Sequence, residues 1–152
     1  MITTDTIKEL RHSTGVSVMQ CKRALEEAHG DKEKALIILK KKGAEVAVKK
    51  GDRNLNAGAI ASYIHSTGTL GVMVELACET DFVAKNPEFK QLAYDIAMHI
   101  AASKPESEQV LYEQPFIKNP EITVGALVND AIQKFGEKME IVRFTRFAVS
   151  EK

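Results

Sequence analysis

Tryptophan is absent from this sequence, cysteine occurs twice, proline four times, and the formal net charge is zero. Each scarcity closes a route. With Lys plus Arg at 21 and Asp plus Glu at 21, no overall field draws the chain to nucleic acid or to an anionic membrane, so any basic contact must be local. No apolar run approaches the roughly 20 residues that a spanning helix needs. The opening residues Met1–Asp5 lack the basic-then-apolar pattern of a signal peptide. The expected address is therefore the cytoplasm, with no membrane partner. Cys21 and Cys78 stand far apart, without a Cys-x-x-Cys pair or a histidine at metal-ligand spacing, and read as small buried thiols.

Catalytic patterns are missing too. There is no G-x-x-x-x-G-K-[ST] loop, no G-x-G-x-x-G and no G-x-S-x-G. His12, His29, His65 and His99 fall in separate elements and read as surface or helix-end residues. No cofactor, resident metal or bond-making chemistry is expected.

What is present is ordinary globular composition, 44% hydrophobic and 28% charged, enough to support a real core. The first 43 residues divide into three short helices. Ile7 and Leu10 mark the first, with Thr6 and Glu9 as a capping box and Gly15 as its stop. Ser17 with Gln20 opens the second, whose apolar positions are Val18, Cys21, Ala24, Leu25 and Ala28. Asp31 caps the third, which carries Ala35, Ile38 and Leu39 and is expected to stop at Gly43.

Residues 44–56 thin in apolar content around Lys49, Lys50, Gly51, Asp52, Arg53 and Asn54, and read as a basic solvated linker. Residues 57–152 then form the core domain. Ala59–His65 and Leu70–Cys78 flank Ser66–Thr69 as a hairpin. Asn86 and Pro87 start a helix with an apolar face of Phe89, Leu92, Ala93, Ile96, Ala97, Ile100 and Ala101, ending before Pro105. A second regular helix follows Thr123 and closes at Gly136, and Met139–Val149 supplies a third strand. The fold class is α+β, a three-helix module followed by a helix-covered three-stranded antiparallel sheet.

The unusual segment is Glu75–Asn86, E-L-A-C-E-T-D-F-V-A-K-N. It sets Phe82 in a strand-to-helix connection, where a large apolar group either folds back into the core or stays available to a partner. Residue chemistry alone favours the core. The lysines Lys40–Lys42, Lys49 and Lys50, with Arg53, read as a solvated helix end and linker, since no aromatics are interleaved for stacking. A ribosome- or RNA-associated helical binder remains the alternative function.

Two blocks carry a family resemblance. Ile7–Arg11, Thr14–Gly15, Cys21–Ala28, Gly30–Asp31 and Ala35 resemble the N-terminal module of elongation factor Ts, a three-helix unit like a ubiquitin-associated domain. Cys78–Asn86 resembles that family's exchange motif. Glu113–Phe116, with Arg143, Phe144, Arg146 and Phe147, is similar to the ends of short members.

The resemblance implies a guanine-nucleotide exchange factor that binds elongation factor Tu in its GDP-bound and nucleotide-free forms. Thr80, Asp81, Phe82 and Val83 would dislodge the partner's Mg²⁺ so that GDP leaves and GTP enters. Direct nucleic-acid binding is not implied. Val18 and Met19 occupy the family's apolar pair as a second contact, although the family usually has Met at the first position and often Asp where Gln20 stands. On residue chemistry Val18 could equally be core. A homodimer through the sheet is also expected, because this chain holds one core module where long members carry two, and a sheet covered on one face needs cover on the other.

Overall fold

The computed structural model describes residues 2–49 and 54–151; Lys50–Arg53 of the expected linker lie outside the described residues. The chain forms two compact units, one from residues 1–52 and 129–136, the other from 53–128 and 137–152.

In the first unit, α1 (Thr4–Thr14), α2 (Val18–Glu27) and α3 (Lys32–Lys49) follow one another. Their shared core is Leu10, Val16, Cys21, Ala24, Leu25, Ala28, Ala35 and Leu39. A stop residue and the next helix's cap follow one another closely. Gly15 turns left-handed at φ 72° and its N–H closes on Arg11, then the Ser17 hydroxyl accepts from the Gln20 N–H at 3.3 Å. Asp31 accepts from the Glu33 and Lys34 amides at 3.0 and 3.2 Å. Two local expectations are corrected. The α1 cap is Thr3, whose hydroxyl oxygen accepts from the Thr6 N–H at 3.2 Å, so Thr6 lies inside the helix. α3 continues through Gly43 to Lys49. A Cβ at Gly43 would fall 2.8 Å from the Gln133 side-chain oxygen, the movable end of a flexible side chain.

The second unit is built on β1 (Ala57–Ile64), β2 (Leu70–Cys78) and β5 (Met139–Ala148), antiparallel in the order β1-β2-β5. Val72, Val74 and Leu76 of β2 are buried on one face, with Met139 and Ile141 of β5. That face is covered by α5 (Pro87–Ser103), which buries Phe89, Leu92, Ala93, Ile96, Ala97 and Ile100, the stripe expected from the sequence. Asn86 caps α5 by accepting from the Glu88 N–H at 2.8 Å. Arg146 closes its other end, donating to the Ala101 carbonyl at 3.2 and 3.3 Å where the helix dipole is negative.

The opposite face of the sheet carries Ile60, Ile64, Met73 and Phe147, all exposed. Cys21 and Cys78 are free and buried, as expected. α7 (Val124–Phe135) begins at Thr123, whose hydroxyl accepts from the Ala126 N–H at 3.0 Å, and stops at Gly136 with φ 73°.

Sequence reading did not find α6 (Glu108–Glu113) or the small ladder of β3 (Pro115–Phe116) with β4 (Asn119–Thr123). These elements correct the reading of His99. It is fully buried on α5, with the Phe116 ring 6.0 Å away and tilted by 33°. Its Nδ1 accepts the Ile117 N–H at 3.1 Å and its Nε2 donates to the Gln114 side-chain oxygen at 2.9 Å. Both ring nitrogens are thus committed to the neutral form, and burial pushes its pKa below the ordinary 6.5.

The consequence has a definite sign. As pH falls through 6.5, the unfolded chain takes up a proton that the buried imidazole refuses, so stability present above that pH declines below it. Melting of His99→Gln should start lower than wild type at neutral pH but fall less between about pH 7 and pH 5. Parallel declines in the two proteins would show that His99 does not set the slope.

A clamped strand-to-helix junction as candidate functional site

β2 ends at Cys78, where its last ladder partner is Met139. Two residues later the chain enters the single-turn helix α4 (Asp81–Ala84). Such a short helix forms because Thr80 caps it, its hydroxyl oxygen accepting from the Val83 N–H at 3.4 Å. The turn sorts its side chains. Val83 and Ala84 are buried, while Asp81 and Phe82 point to solvent, Phe82 with 85% of its surface exposed. The core reading of Phe82 is therefore overturned: it is the most exposed of the large hydrophobic side chains among the described residues.

The junction is tied to the turn between α7 and β5. The Glu137 carboxylate accepts from the Glu79 N–H at 3.1 Å and the Thr80 N–H at 3.0 Å through one oxygen, and from the Thr80 hydroxyl at 2.7 Å through the other. Glu79 reciprocates, accepting from the Lys138 N–H at 2.6 Å. Behind them the Cys78 thiol donates to the Thr80 carbonyl at 3.3 Å, and burial pushes its pKa up. It is a packing group, shielded from reaction.

Of the residues expected at the site, the structure brings Thr80, Asp81, Phe82 and Val83 together on this one turn. Asp81 also borders an open groove with Gly58, Ala77 and Arg143. Val83 faces inward. Val18 and Met19 belong to the first unit, on the first turn of α2, and are 47% and 58% exposed, so neither is core in the free chain. Glu137 was not found from the sequence. It follows the helix stop Gly136 and carries no local mark, because its partners lie up to 58 positions away.

No group of three His, Cys, Asp or Glu side chains among the described residues could hold a metal ion. None of the helices in the described residues is long and apolar enough to cross a membrane. The arrangement offers an exposed aromatic on a rigid base beside a carboxylate, suited to protein contact.

Comparison with known proteins gives a consistent result. A family model described as elongation factor TS matches residues 5–107, which include α2, α3, α4 and all of α1 except Thr4. The chain is 44% identical to elongation factor Ts of Carboxydothermus hydrogenoformans, covering 99% of this chain and 90% of the relative. It is 41% identical to elongation factor Ts of Syntrophomonas wolfei, with 99% and 92% covered. Both alignments run to 196 positions against a chain of 152 residues, so the relatives carry residues that have no counterpart here. On the family match and these identities over nearly the full chain, the protein belongs to the elongation factor Ts family.

Proposed function

We propose that this chain is a translation elongation factor that acts as a guanine-nucleotide exchange factor. In this reading it binds elongation factor Tu·GDP, dislodges the partner's Mg²⁺ and lets GTP replace GDP. The observation that carries the proposal is the exposure of Phe82 on a turn whose other apolar side chains are buried. Fully burying a Phe side chain is worth about 1.5–3 kcal/mol, so a site that forgoes this in the free chain can gain it on a partner. Asp81 beside it adds acceptor oxygens able to compete for donors around a bound metal. Val18 and Met19 supply a second, smaller apolar contact.

This chain makes and breaks no bond in the proposed exchange. Its work is linkage: by whatever factor it weakens GDP on the partner, GDP weakens its own binding. The complex with both ligands is then a transient state, left when nucleotide re-enters.

The exposed face of the sheet supports a second element of the proposal, a homodimer. Ile60, Ile64, Met73 and Phe147 make an apolar surface, and its charged pair Arg143–Glu75 is already satisfied at 2.8 Å within the chain. A two-fold axis through such a self-complementary face pairs it with itself.

Two measurements test these readings. Phe82→Ala should leave stability within about 0.5 kcal/mol of wild type, as for an exposed side chain, yet lower the efficiency of GDP release from elongation factor Tu about thirtyfold, the equivalent of about 2 kcal/mol. Normal exchange by a folded variant would remove Phe82 from the site. Light scattering should give twice the 16.8 kDa chain mass, and Phe147→Glu should shift it toward one chain. A wild-type mass of one chain, unchanged on concentration, rules out the dimer.

A further inference from the structure

We infer that Glu137 is a positioning residue for nucleotide exchange, fixing the direction in which Phe82 leaves the surface. The inference rests on the reading of Phe82 as a partner anchor given above. Phe82 is almost free of contact with its own chain, so only the backbone on either side can hold its orientation. Upstream, one Glu137 oxygen binds the amides of both Glu79 and Thr80. Downstream, its other oxygen holds the Thr80 hydroxyl, whose own oxygen accepts the Val83 amide. A single carboxylate thereby reaches both flanks of the anchor.

The clamp is also anchored at its far end. Gly136, left-handed at φ 73°, turns the chain out of α7 so that Glu137 comes to face the junction. The Glu79 carboxylate then accepts the Lys138 amide at 2.6 Å, tying the two turns together in both directions. Any strand-to-helix connection needs an acceptor for the Glu79 and Thr80 amides, but not the second oxygen's tie to the Thr80 hydroxyl that caps the turn carrying Phe82. One that must present an aromatic ring at a set angle does need that tie, because misplacement of a contact group by about 1 Å costs orders of magnitude in efficiency.

Three variants test this against elongation factor Tu preloaded with fluorescent GDP. Below its melting temperature, Glu137→Ala should release GDP about tenfold less efficiently than wild type, with amide protection lost at Glu79 and Thr80. Glu137→Gln keeps an oxygen for the two amides, while the Thr80 hydroxyl can rotate to accept, and should stay within about threefold of wild type. In a Phe82→Ala background, Glu137→Ala should cost less than about twofold, since the ring it orients is gone.

Undiminished exchange by a folded Glu137→Ala overturns the inference, and so does a full tenfold loss in the Phe82→Ala background, which would mean an independent contact. If Glu137→Ala fails to fold, Thr80→Val against Thr80→Ser removes and restores the hydroxyl that joins Glu137 to the α4 cap. Equal exchange by those two then overturns it. A wild-type chain that fails to accelerate GDP release would instead defeat the proposed function itself, a result separable from any difference among the variants.

Discussion

A strand that becomes a helix leaves its last amide groups without ladder partners, and each must find an acceptor in the protein or in water. In this chain the problem falls at Glu79 and Thr80, immediately past the final β2–β5 pair. The acceptor comes from Glu137, far along the sequence but adjacent in space, because β5 runs antiparallel to β2 and begins where β2 ends. Satisfying those two amides fixes Thr80, Thr80 caps α4, and the single turn of α4 divides its apolar residues between the core and solvent. The exposure of Phe82 is the last step of that sequence.

The surrounding architecture keeps this junction rigid. β2 is the central strand, paired on both sides, and its inward residues Val72, Val74 and Leu76 are sealed by α5. α5 starts only two residues after α4, at Asn86 and Pro87, so the exposed turn is held between the sheet's middle strand and its covering helix. A contact group on such a base loses little conformational freedom on binding, which favours affinity through preorganisation. Sequestering Phe82 in the core would have removed the one large aromatic group that the proposed exchange depends on.

Most of the fold was legible because its signals are local. Ser17, Asp31, Asn86 with Pro87, and Gly136 each mark a helix end through chemistry acting within a few residues. Where reading failed, the cause was tertiary. Gly43 reads as a stop, but helix packing carries α3 through it to Lys49. His99 reads as a surface residue, because nothing in its own helix announces that Gln114 and Ile117 will satisfy both ring nitrogens. Of the site, Thr80–Val83 could be picked out only through family resemblance; residue chemistry alone put Phe82 inside. Glu137 could not be found at all, since a glutamate after a glycine stop is unremarkable until β5 pairs with β2.

In the proposed function, the Thr80–Val83 turn is the surface through which this chain meets elongation factor Tu. Amide hydrogen exchange across residues 78–86, followed as nucleotide-free elongation factor Tu is added, addresses it without reliance on any substitution. Added protection is expected in this segment at the concentrations where the complex forms. Binding that leaves the segment's exchange unchanged while protecting other parts of the chain would contradict it.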